Sequence, residues 1–128
     1  MNRYLLIAVG AAFGANARYL VNAWAANRLG AEFPYGTFIV NVVGSFFLGF
    51  LLTLSTGRLQ LSPEARLLFA VGFLGSFTTF SSLTVETLNL GRETGFWWGL
   101  ANIVGSNVAG LASALLGIFL ARWLQGGG

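Results

Sequence analysis

Four stretches of this chain, residues 4–26, 35–56, 67–90 and 96–124, are each long and apolar enough to cross a membrane. A helix needs about 20 predominantly apolar residues to span the hydrocarbon core, and there every backbone polar group must be satisfied internally. The segments between them, from Arg28 to Pro34, from Gly57 to Arg66 with Pro63, and from Gly91 to Gly95, carry turn residues and charge. They read as tight connections in a series of helical hairpins. The expected fold is therefore all-α, a single membrane domain over residues 1–128 with four transmembrane helices. Loops and tails this short cannot bury a soluble core. Residues 1–26 include Arg3, but the apolar run continues past Arg18, so the first stretch reads as a retained span and not as a cleaved signal. The tail Gly126, Gly127 and Gly128 receives no function.

Composition narrows the chemistry. Charged residues make up only 9% of the chain, against about 25% in an ordinary soluble domain. Lysine, histidine, aspartate and cysteine are absent, which leaves seven arginines, four glutamates and many neutral hydroxyls and amides. Thiol, imidazole and zinc chemistry are excluded. A net charge of +3 does not imply nucleic acid, because the arginines are scattered singly and phosphate binding needs a basic patch or stripe. An intramembrane enzyme would need a base beside any Ser or Thr nucleophile, and no histidine or lysine is present to serve.

Orientation in a bilayer follows the arginine and lysine counts near the helix ends. With four spans, Arg3, Arg58, Arg66 and Arg122 share one side, while Arg18, Arg28 and Arg92 belong to the other. This near-balance predicts insertion in both orientations and an antiparallel homodimer. Two opposed copies would supply the inverted symmetry that many transporters carry within one chain.

Polar residues inside a span must face partner helices or a wet pathway. In the second span Thr37, Asn41 and Ser45 recur every four residues, on one helical face that Gly44 and Gly49 open to close approach. The fourth span repeats the device with Asn102, Ser106, Gly110, Ala114 and Gly117, and Gly10 and Gly14 form a small pair in the first. Glycines in such positions are packing seams. Asn41 has two donors and an acceptor, more than one hydroxyl neighbour can satisfy, and fits packing or pore lining equally.

The third span is the exception. Between positions 76 and 84 it carries hydroxyls at Ser76, Thr78, Thr79, Ser81, Ser82 and Thr84. At about 100° per residue these surround the helix, so no rotation hides them from lipid. The expectation is an interrupted helix buried in protein, with Gly75 as the break point and freed carbonyls available to an ion or water. Phe77 and Phe80 add aromatic rings whose positive edges can face an anion. Rings of Asp or Glu, which line many cation paths, are missing; Glu86, near the end of the third span, is the one glutamate close to a span interior. A small anion is the better match.

These residues, in their order and spacing, resemble the Fluc (CrcB) family of bacterial fluoride channels over nearly the whole chain. The likeness rests on 14–19 (Gly-Ala-Asn-Ala-Arg-Tyr), 36–41 (Gly-Thr-Phe-Ile-Val-Asn) followed by Gly44, and 72–81 (Gly-Phe-Leu-Gly-Ser-Phe-Thr-Thr-Phe-Ser) with Glu86. The resemblance implies a passive, fluoride-selective channel of the cytoplasmic (inner) membrane that exports fluoride. It implies an antiparallel, dual-topology homodimer with two pores and a central structural sodium ion, held by the backbone carbonyls of Gly75 and Thr78. It places Asn41, Phe80 and Ser106 on the pore, with Thr37 and Thr79 beside them. Ser81, Ser82 and Glu86 form a polar track, and Arg18 sits at the vestibule, where it could attract anions. One departure stands out: Leu83 occupies the position of the second pore phenylalanine, which predicts slower permeation. The competing reading is a small dual-topology multidrug or cation exporter, but proton-coupled cation export wants a carboxylate buried mid-membrane, and the first span has none.

Overall fold

A computed structural model describes residues 2–126, so Met1 and, from the glycine tail, Gly127 and Gly128 lie outside the described residues. Among the described residues, four helices are long and apolar enough to cross a membrane: Arg3–Leu29, Tyr35–Ser55, Pro63–Glu93 and Phe96–Leu124. The sequence-derived spans agree with these to within a few residues. This is a multi-pass, all-helical membrane protein with a bent third span. We label the helices α1 (Arg3–Leu29), α2 (Tyr35–Ser55), α3 (residues 63–77), α4 (Phe80–Glu93) and α5 (Phe96–Leu124).

Local chemistry accounts for the helix ends. The Asn2 side chain accepts the Tyr4 N–H at 2.7 Å and caps α1. Gly30, at φ 96°, ends α1 in a conformation that side chains resist, and Gly95, at φ 139°, turns α4 into α5 across a two-residue connection. Ser62 caps α3 through a 3.1 Å bond from Ala65 N–H, with Pro63 in the first turn, where its missing N–H costs nothing.

The helices meet through glycine. Gly10 of α1 faces Gly72 of α3, with Cα of Gly72 at 3.1 Å from where a Cβ on Gly10 would sit, and Gly14 abuts the Phe73 carbonyl. On the other side of the bundle Gly49 faces the Ala114 carbonyl and Gly117 the Phe46 carbonyl, joining α2 to α5. Gly10, Gly14, Gly49 and Gly117 are seams expected from the sequence, since backbones approach closely only where side chains are absent, and Gly72 is one that its spacing did not mark. A small apolar core of Val40, Leu74 and Phe77 lies between α2 and α3. The outer surface is greasy, with Phe119 70% and Leu111 69% exposed along α5, as lipid requires.

The third span departs from a regular helix twice. Residues Arg66–Leu74 wind as a π-helix, a rare form usually confined to single turns and often found near functional sites. The break itself is not at Gly75. Gly75 is helical, at φ −61° and ψ −31°, whereas Thr78 (ψ 157°) and Thr79 (φ −153°, ψ 119°) are extended. The expected break point is corrected by three to four residues. Two adjacent β-branched threonines are poor helix formers, and Thr79 gains more by capping the next helix than by continuing the first: its Oγ1 accepts the Ser82 N–H at 3.2 Å.

Candidate functional site

The break is held open by one side chain of α2. Asn41 Nδ2 donates to the Thr79 carbonyl at 3.0 Å, and Asn41 Oδ1 accepts the Thr79 N–H at 2.8 Å. In a continuous helix that N–H would go to the Gly75 carbonyl, so the Asn41 clip is what releases the latter. Gly44, one turn along α2, admits the Thr78 methyl into the space a side chain would occupy. Both donor and acceptor functions of Asn41 are thus committed to backbone, with one amide N–H left over. Of the two readings of Asn41, these bonds supply the packing one.

The hydroxyls that surrounded the helix on paper are mostly consumed locally. Thr78 Oγ1 donates to the Leu74 carbonyl at 3.0 Å, Thr84 Oγ1 to the Ser81 carbonyl at 2.9 Å, and Thr79 Oγ1 to Ser82 Oγ at 3.2 Å, with Ser81 Oγ 3.3 Å away. These bonds let a hydroxyl-rich segment sit inside a membrane protein. Ser81 and Ser82 therefore serve the cap of α4 in this structure.

Beside the break an open groove of about 350 Å³ is lined by Asn41, Ser45, Thr79, Phe80, Leu83, Ser106 and Asn107, among others. None of its lining residues is ionisable. Ser106 is 6% exposed, and its hydroxyl is buried with no hydrogen-bond partner, a state that costs about 1–3 kcal/mol. Phe80 is 72% exposed, whereas Leu83 is buried. The two positions where the resemblance expects pore phenylalanines thus both line the groove but differ in exposure.

Thr37 and Glu86 fall elsewhere. They line a second cavity of about 320 Å³ toward the α1–α2 loop, together with Asn22, Glu32, Asn89 and Glu93. Buried Thr37 donates to Glu86 Oε1 at 3.0 Å, while Glu86 Oε2 is buried and unpartnered. The candidate residues therefore form two neighbouring sites, one neutral and one acidic, along the same face of α2. Arg18 joins neither; its Nε donates to the Ser76 carbonyl at 3.0 Å from the α1 side.

Two further contacts escape a reading by motif. Asn102 Nδ2 donates to Thr87 Oγ1 at 2.9 Å, and Ser113 Oγ to the Val42 carbonyl at 2.7 Å. Asn102 stood out by its spacing. Its partner Thr87 did not, because the pairing follows from how α4 packs on α5.

Against known proteins, the profile of the family described as "CrcB-like protein, Camphor Resistance (CrcB)" matches residues 5–118. A protein of Roseiflexus sp. (strain RS-1), named fluoride-specific ion channel FluC, is 54% identical over 121 residues, covering 94% of this chain and 97% of the relative. The FluC of Solibacter usitatus is 52% identical over 120 residues, covering 94% and 98%. That of Chloroflexus aurantiacus is 47% identical over 127 residues, covering 98% and 100%.

Proposed function

This chain belongs to the CrcB family, a family of ion channels and not of enzymes, and from that premise we propose that it conducts fluoride passively out of the cell across the cytoplasmic membrane. The observation that carries the reading is the Ser106 hydroxyl, buried and unbonded in a groove without ionisable groups. A neutral donor with no protein acceptor is a place for an anion. Ser106, the spare N–H of Asn41 and the ring edge of Phe80 exchange for the water around a compact anion, with no fixed charge to hold it. Hydrogen fluoride entering from acidic surroundings dissociates inside, and the anion cannot recross lipid unaided. A membrane potential negative inside then drives it outward, at about 2.3 kcal/mol per charge per 100 mV.

Thr37, Glu86 and the Thr79–Ser81–Ser82 cluster extend the path as a polar track toward the α1–α2 loop. Two copies inserted antiparallel give the working assembly, a homodimer with two pores. The near-balance of arginines supports this arrangement.

A structural sodium ion fits the break by one test. The Gly75 carbonyl has lost its helical donor to Asn41, and the Thr78 carbonyl accepts none of the hydrogen bonds that cross the break. Bound, the ion would neutralise those dipoles; two such carbonyls from each copy would hold it.

The test is efflux from proteoliposomes read by fluoride and chloride electrodes. Rapid fluoride release with little chloride release is expected. Organic-cation transport without fluoride release would replace this reading with the exporter.

A further inference from the structure

Among the described residues, Arg18 is the only arginine hydrogen-bonded to another helix. The reason lies in register. Gly10, Gly14 and Arg18 recur every four residues on one face of α1. The two glycines bring the α1 backbone against α3 from the Leu68 carbonyl to the Phe73 carbonyl, and one turn further on Arg18 arrives opposite Ser76. In an unbroken helix the Ser76 carbonyl would take the Phe80 N–H, but Phe80 now opens α4. Ser76 is left with one of the orphan carbonyls at the negative end of a helix. The Arg18 Nε–H fills that vacancy at 3.0 Å, while the two terminal guanidinium nitrogens have no hydrogen-bond partner among the described residues and are not buried.

We propose that Arg18 is a positioning residue of the conduction path: by capping Ser76 it fixes the C-terminal end of α3 and hence the register in which Asn41 meets Thr79. The proposal rests on the channel reading and assigns Arg18 a bond, where the vestibule role assigns it a field. The two roles separate by chemistry. A field survives replacement by lysine and is screened by salt, since the Debye length falls from about 30 Å at 0.01 M to about 3 Å at 1 M. A planar Nε–H donor is not reproduced by an ammonium and its bond is indifferent to salt.

Arg18→Lys and Arg18→Gln are compared with the unaltered protein in fluoride efflux at low and high concentrations of an impermeant salt, and in hydrogen exchange of the Thr78 and Thr79 amides in detergent. Both variants are expected to lose about tenfold in flux, the scale of a charge-assisted hydrogen bond, by the same factor at both salt concentrations. Exchange at Thr78 and Thr79 is expected to accelerate while α5 amides hold. Flux in Arg18→Lys equal to that of the unaltered protein, or a deficit in Arg18→Gln that disappears in high salt, overturns the proposal. So does exchange that stays unchanged at the break or rises equally in α5. If the unaltered protein releases no fluoride, the channel reading fails on its own, and exchange at Thr78 and Thr79 alone decides whether Arg18 holds the break.

Discussion

The two halves of the third span strike different balances between backbone and side-chain contact. The first half, α3, meets α1 backbone to backbone through Gly10, Gly14 and Gly72, with one side-chain bond from Arg18 at its end. The cavity of about 300 Å³ beside that seam is lined by Val9, Gly10, Phe13, Leu68, Phe69 and Phe73, with no polar side chain. The second half, α4, has one glycine approach of its own, Gly91 against Gly99 of α5, but is tied mainly by side chains: Asn41 on Thr79, Thr37 on Glu86 and Asn102 on Thr87. Side-chain hydrogen bonds leave remainders, and both unpartnered buried atoms of the described structure, Ser106 Oγ and Glu86 Oε2, lie on this side. A glycine seam fixes position without specifying chemistry. A side-chain seam costs more to satisfy, and its unsatisfied donors and acceptors are what a permeating ion can use.

Four substitutions would break or sharpen that contrast. The largest effect is expected from Asn41→Leu, which strands both the N–H and the carbonyl of Thr79 at about 1–3 kcal/mol each. Fluoride efflux should fall to background and thermal stability in detergent should drop; unaltered flux would remove Asn41 from the mechanism. Gly14→Ala comes next, because its Cβ would collide with the Phe73 carbonyl. Overpacking of that kind costs about 1–3 kcal/mol, and it should appear as lost stability, with the flux per folded channel falling by no more than the roughly tenfold expected of the Arg18 variants. If flux per folded channel collapses as well, the two halves are not independent.

Leu83→Phe tests the groove side alone. Restoring a ring edge at a buried position is expected to raise fluoride efflux by a few-fold; unchanged flux would show that the ring edge there is dispensable. The smallest effect is expected at Gly105 of α5, where a Cβ would meet nothing within 4 Å. Gly105→Ala should stabilise the helix by about 0.5–1 kcal/mol, visible in thermal unfolding, with conduction unchanged.

Much of this was legible in the amino-acid order because the relevant signals are local. Apolar runs marked the spans, four-residue spacing marked the seams, and the hydroxyl cluster announced that the third span could not be regular. The position of the break was not legible, because glycine is permissive without being compelling. Gly75 stays helical, and the chain opens where Asn41, 38 residues away, supplies the replacement bonds. The π winding of Arg66–Leu74 has no local code that we recognise. The division between a neutral groove and an acidic cavity likewise depends on how α4 rotates, which Asn102 and Thr87 set across 15 residues.

The carboxamide of Asn41 is in effect a peptide group that has been detached from any main chain and mounted on a helix. It offers the same donor and acceptor pair as the peptide unit it replaces, at the length of a single methylene. Aspartate keeps the shape but, ionised, has no donor; leucine keeps the bulk and offers neither function; glutamine carries the amide one carbon too far. The position is therefore a lock cut for one of the twenty side chains. A selection that demands an open third span should return asparagine there, even where the rest of α2 is free to drift among apolar residues.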